Sequence, residues 1–155
     1  MTDRQCTAET IATHNNITLK RIERNSYGKD FDRDTYTCEV RDALIDHEID
    51  LIAMAGFGTI LNKPIYDDFS NRILNTHPSL LPSFPGWHAV EEALEYGVKV
   101  TGCTVHIATE EVDAGPILAQ ESIPVLKDDT KETLHERIKT VERQLYVDTI
   151  NKIIT

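Results

Sequence analysis

Asp50-Leu51-Ile52-Ala53-Met54-Ala55 and Arg72-Ile73-Leu74-Asn75-Thr76 are short apolar runs that frame a segment opened at Pro64. The first has the character of a strand buried on both faces. Gly56-Phe57-Gly58 ends it, a short helix runs from Pro64 to Phe69, and residues 72–76 form the next strand. On the amino-terminal side, residues 3–13 read as a helix with its exit at Asn15-Asn16, and Ile17, Leu19 and Ile22 as a short strand. Tyr36, Val40, Ala43, Leu44 and His47 recur at helical spacing, which predicts an amphipathic helix over 32–47. On the other side, residues 77–87 hold three of the six prolines and exclude regular structure. A helix over 88–96 stops at Gly97. Residues 98–108 and 116–125 read as strands, with a loop over 109–115. The last element is a long helix, with Asp129 as cap, Glu132 three residues on, and Leu134, Ile138, Val141, Leu145 and Ile150 toward the core. Helix and strand alternate throughout, so the fold class is α/β with an open, mostly parallel sheet. Loops 56–61, 75–87 and 108–115 leave strand carboxyl ends and are expected to converge on one crevice.

The chain has 155 residues, enough for one domain spanning 1–155 with a real core. The formal net charge is −10, without any run of Lys or Arg. That argues against nucleic acid or an anionic membrane as the main partner. No apolar run reaches the ~18–20 residues that span a bilayer. Cys6, Cys38 and Cys103 lack metal-type spacing and read as reduced thiols of a cytoplasmic protein. The six histidines show no metal-binding pattern, so no catalytic metal is expected. Ser79 and Ser83 lack a nucleophile elbow, and Gly56-x-Gly58 lacks the third glycine of a dinucleotide fingerprint.

Chemistry concentrates at Asn75-Thr76-His77-Pro78. Asn75 and His77 lie two apart in an extended segment, so their side chains share a side, and Pro78 keeps His77 extended. A carboxamide donor beside an imidazole suits oxyanion stabilisation and proton transfer. Each residue also has a plain structural reading: the Asn caps a turn, and the His satisfies a loop carbonyl. Asp113, in Glu110-Glu111-Val112-Asp113-Ala114-Gly115-Pro116, is either a turn residue or the carboxylate that favours a protonated His77. His106 precedes that loop and reads as a strand histidine pairing locally.

Residues 73–86, Ile-Leu-Asn-Thr-His-Pro-Ser-Leu-Leu-Pro-Ser-Phe-Pro-Gly, together with Val-Asp-Ala-Gly-Pro at 112–116 and Met-Ala-Gly-Phe-x-x-Ile-Leu at 54–61, resemble the phosphoribosylglycinamide formyltransferases. The resemblance runs through essentially the whole chain. It implies an open formyltransferase sheet of Rossmann-like type, and transfer of a formyl group from 10-formyltetrahydrofolate to the amine of 5′-phosphoribosylglycinamide in purine synthesis. By the same resemblance Asn75, His77 and Asp113 are catalytic. The folate would meet Arg33, Met54, Gly58, Thr59, Ile60, Leu61, Thr109, Glu110 and Val112. The ribonucleotide would meet Pro78, Lys139 and Glu142. The resemblance further implies small-molecule substrates only, a monomer or homodimer, and a cis bond at Leu81-Pro82. Two alternatives share these residues: hydrolysis of formyltetrahydrofolate, and a folate-binding remnant without activity. Pro78 and the Lys139/Glu142 pair speak against hydrolysis.

Two departures from the family stand out. Gly58-Thr59 occupies the place where many relatives carry Met-Arg, which removes a side-chain contact to the folate tail. The chain also begins after the family's first strand and glycine-rich phosphate loop, and ends before its usual last segment. The expectation is therefore a fragment of a longer product, incomplete at the amino terminus, with a partner that supplies the missing piece as the alternative.

Overall fold

The computed structural model describes residues 1–26 and 28–155. The chain divides into two compact units: Met1–Asp50 with Gly56–Ser70, and Leu51–Ala55 with Asn71–Thr155.

The first unit holds helices α1 (Thr7–His14), α2 (Arg33–Asp46) and α3 (Lys63–Asp68). Helix α1 exits at Asn15 and Asn16, the latter in the left-handed region at φ 55°. The buried Glu9 carboxylate accepts from Thr2 Oγ1 at 2.8 Å and from Arg21 Nε at 2.6 Å. That ion pair ties the amino terminus to the segment expected as a strand over 17–22. Among the described residues the segment forms one isolated bridge, Arg21 with Thr2, and its Ile17 and Leu19 are exposed. Asp32 caps α2 by accepting from the Thr35 N–H at 3.0 Å, and Tyr36, Val40 and Ala43 are buried as the periodicity predicts. His47 departs from the pattern. It is exposed, and its Nδ1 donates to the Ala43 carbonyl at 2.8 Å, so it closes the helix end instead of facing the core. Pro64 stands in the first turn of α3, whose Ile65 is buried.

The second unit is a four-stranded sheet in the order β1 (Ile52–Ala53), β2 (Ile73–His77), β3 (Val100–Ile107), β4 (Ile117–Pro124). Strands β1 and β2 pair in parallel, as expected for that stretch. Strand β1 differs in being a two-residue edge strand, partly exposed, since only one neighbour covers it. Strand β3 runs antiparallel to both β2 and β4, so the sheet is mixed. The chain leaves β2 through the proline-rich loop, runs along α4 (Ala89–Tyr96), and reverses at Gly97. Gly97 adopts φ 78°, a conformation that favours glycine, and its N–H closes the helix end.

Helix α5 (Lys131–Ile154) covers one face of the sheet. Leu134 and Ile138 pack with Val90, Cys103 and Ile123, while Tyr146 joins Leu74, Val105 and Ile107. Val141, Leu145 and Ile150 border these clusters, so the helical spacing read from the sequence marks the true inner face. The Tyr146 hydroxyl lies 2.9 Å from the Leu74 carbonyl and 3.0 Å from that of Met54, which pins α5 across β2 and the end of β1. The cap of α5 is Thr130, not Asp129. Thr130 and Thr133 exchange side-chain and backbone hydrogen bonds, a box that the Thr133 hydroxyl closes and Glu132 does not. Asp129 instead accepts from the Leu126 N–H at 2.7 Å and from Arg137 at 2.5 Å. Among the described residues no helix is long and apolar enough to cross a membrane.

Candidate functional site

Strand alternation sets the site. Leu74 on β2 and Cys103 and Val105 on β3 face α5, so Asn75, His77, Thr104 and His106 point from the opposite face. The antiparallel register places Asn75 across from His106, and His77 across from Thr104.

His77 is almost closed off, with its side chain 6% exposed. Its Nε2–H donates to the Phe84 carbonyl at 2.8 Å, and its Nδ1 lies 3.3 Å from Asp113 Oδ2. Both ring nitrogens thus face acceptors, an arrangement that matches a ring carrying two N–H groups. Asp113 Oδ2 also accepts from the Gly86 N–H at 2.8 Å, and Oδ1 stands 3.6 Å from His106 Nε2. Burial pushes the Asp113 carboxyl up. The His106 ring, the Gly86 N–H and the charge on His77 outweigh burial and hold it below the usual carboxylate range. Asp113 adopts φ 56°, a left-handed conformation uncommon outside glycine and held here by these contacts. The loop can fold this tightly because residue 115 is glycine: a Cβ there would sit 1.9 Å from the Ile107 carbonyl oxygen.

A depressed carboxyl pKa stabilises the fold above the unfolded value and loses that effect as pH falls through the folded one. Asp113→Asn is therefore expected to cost on the order of 1–3 kcal/mol at pH 7. The gap to the unsubstituted protein should narrow below about pH 4. Urea unfolding at a series of pH values measures it, and a gap that is independent of pH would contradict the charged contact.

The expectation that three strand-end loops converge needs correction. Because β3 is antiparallel, loop 108–115 leaves the sheet beside Leu74, away from the carboxyl end of β2. Asp113 reaches His77 because the hairpin between β3 and β4 bends back over the sheet face, where the Gly86 N–H holds it. Segment 56–61 belongs to the first unit.

The sequence does not single out Thr104. The buried Thr104 hydroxyl accepts from the Leu81 N–H and Gln120 Nε2, both at 3.0 Å, and donates to the Ser79 carbonyl at 2.7 Å. It anchors the loop directly after His77. The Leu81-Pro82 bond in that loop is cis, as the resemblance implies. His106 does more than pair along its strand: its Nε2 also meets Asn75 Nδ2 at 3.4 Å.

The remaining expected site residues lie as follows. Arg33 is the exposed first residue of α2. Thr59 and Leu61 are buried, with Gly58 and Ile60 partly so, and the Thr59 hydroxyl accepts from Arg24 Nη1 at 3.3 Å within the first unit. Met54 follows β1 and gives its carbonyl to Tyr146. In the loop of Asp113, the Thr109 hydroxyl donates to the Glu111 carbonyl at 2.9 Å, and Glu110 and Val112 are exposed. Pro78 directly follows His77. Lys139 and Glu142 lie on α5, where Lys139 pairs with Glu136 at 2.8 Å. Cys103 is fully buried, and burial, with Glu142 and Glu121 nearby, pushes its thiol up to about 11. A thiol protonated at neutral pH is no nucleophile. Direct contacts therefore join Asn75, His106, Asp113 and His77 into one chain of polar groups.

Residues 2–150 match the formyl transferase family. The chain is 45% identical over 153 residues to a phosphoribosylglycinamide formyltransferase of Mycobacterium tuberculosis, covering 99% of this chain and 70% of that protein. It is 43% identical over 108 residues to the Bacillus subtilis protein of the same name, covering 70% of this chain and 55% of the other. Among solved structures, glycinamide ribonucleotide transformylase 1 from Symbiobacterium toebii superposes with a TM-score of 0.88 at 39% identity. That match covers 96% of this chain and 69% of the other.

Proposed function

The chain belongs to the formyl transferase family, and from that premise we propose that it moves the formyl group of 10-formyltetrahydrofolate onto the amine of 5′-phosphoribosylglycinamide. The observation that carries this reading is the contact chain Asn75–His106–Asp113–His77 on one sheet face. In the reaction the amine lone pair attacks the formyl carbon, and the carbonyl π electrons move onto oxygen. Asn75, the partly exposed member of the group, offers Nδ2–H to that oxyanion. His77 holds a proton beside it, and Asp113 balances the charge of the ring. The amine then gives up a proton, the oxyanion pair re-forms the carbonyl as the bond from carbon to the folate nitrogen breaks, and that nitrogen takes a proton as it leaves. Preset donors of this kind stabilise the developing charge without reorganising at the moment of reaction.

Thr109, Glu110 and Val112 share the loop of Asp113, which supports a folate contact there, and Pro78 beside His77 supports contact with the ribonucleotide. Identities of 45% and 43% to proteins named as transferases favour transfer over hydrolysis. Calorimetry with a non-reactive folate analogue and, separately, with phosphoribosylglycinamide tests the reading. Both ligands are expected to bind saturably. Binding of the folate alone would leave a silent folate-binding protein and overturn the proposal.

A further inference from the structure

The polar chain contains one residue to which the reaction above gives no task. His106 is fully buried on β3, its Nδ1 is 3.0 Å from the Ile107 carbonyl, and its Nε2 faces both Asn75 Nδ2 at 3.4 Å and Asp113 Oδ1 at 3.6 Å. We propose that His106 is a positioning residue: the lone pair on its Nε2 accepts one Nδ2–H of Asn75 and so fixes which end of that carboxamide meets the reacting oxygen. The proposal rests on the reading of Asn75 as the oxyanion donor.

A carbonyl oxygen only accepts, so the contact with Ile107 places a hydrogen on Nδ1. In a neutral ring Nε2 is then bare, and a bare nitrogen takes a donor. The two ends of a carboxamide have nearly the same shape and opposite hydrogen-bonding character. With its nitrogen toward Nε2, Asn75 gains a hydrogen bond. Turned over, it would set its oxygen against a lone pair inside a buried site, where an unmade bond is costly.

The geometry assigns the protonated partner of Asp113 to His77 and not to His106. Asp113 supplies one negative charge to two rings. His77 has an acceptor at each nitrogen, the Phe84 carbonyl at 2.8 Å and Asp113 Oδ2 at 3.3 Å, whereas the Nε2 of His106 has the Asn75 amide at 3.4 Å, nearer than Asp113 Oδ1 at 3.6 Å. The proton that pairs with Asp113 therefore belongs on His77.

The test has two parts. In the unsubstituted chain with ¹⁵N-labelled histidine, long-range ¹H–¹⁵N NMR at neutral pH should show His106 protonated on Nδ1 and bare on Nε2. Steady-state kinetics then compare two variants. His106→Gln can set an amide oxygen where Nε2 lies, and His106→Asn can keep the donor to Ile107 but does not reach Asn75. The Asn variant is expected to lose roughly tenfold in kcat with KM nearly unchanged, the size of one hydrogen bond, and the Gln variant to recover most of it. A chain that transfers formyl with His106 protonated on Nε2, or equal kcat in the two variants, would overturn the positioning role. The Nδ1–H tautomer in a chain that transfers no formyl would instead remove the functional reading on which the role rests. The tautomer is read without substitution, so a variant that fails to fold leaves the NMR result decisive.

Discussion

His77→Ala is expected to lower kcat for formyl transfer by about 10²–10³, the usual effect of removing one donor to a developing oxyanion. KM for either substrate should change little, because the loss falls on an interaction made in the transition state. The fold should survive. His77 lies on the face of the sheet away from α5, and truncation removes a ring that, among the described residues, meets the Phe84 carbonyl and Asp113. Circular dichroism controls for that, and kcat within threefold of the unsubstituted protein would remove His77 from the reaction.

The second large effect lies on the other face. Leu134 is 0% exposed and packs with Val90, Cys103, Ile123 and Ile138. Leu134→Ala deletes buried methyl groups and leaves a cavity between α5 and the sheet, a change that costs ~2–5 kcal/mol in well-packed cores. Urea unfolding should show a lower midpoint at an unchanged slope. A loss below about 0.5 kcal/mol, the scale of a surface substitution, would mean that α5 does not seal the sheet.

These two positions mark what could be read in advance. Leu134 and Ile138 lie four apart in a long helix whose polar positions fill the other sides, so period alone marks its inner face. Asn75 and His77 lie two apart in a strand, and period 2 sends them to the same face whichever way the neighbours run. The direction of β3 was another matter. Residues 101–108 are all buried, so this strand shows no alternation and nothing local to say which way it pairs. That direction decides that His106 stands opposite Asn75 and that loop 108–115 must bend back to deliver Asp113. For the same reason the sequence alone reads His106 as a locally paired histidine, since its role is defined by register and not by its neighbours in the chain. At residues 17–22 the apolar letters misled, because Ile17 and Leu19 remain exposed. The Thr130 cap was missed because Asp129 and Glu132 fit the usual capping pattern better than the threonine pair that forms it.

Whether the Asn75–His77–Asp113 face passes a formyl group to an amine is tested most directly by the fate of a labelled formyl carbon. The chain is mixed with ¹³C-formyl-labelled 10-formyltetrahydrofolate, with and without phosphoribosylglycinamide, and ¹³C NMR follows where the label goes. Label on the amine nitrogen, formed only when the ribonucleotide is present and lost in the Asn75→Ala/His77→Ala double variant, is the predicted result. Label released as formate at one rate with or without the ribonucleotide, or full transfer by the double variant, would contradict the account.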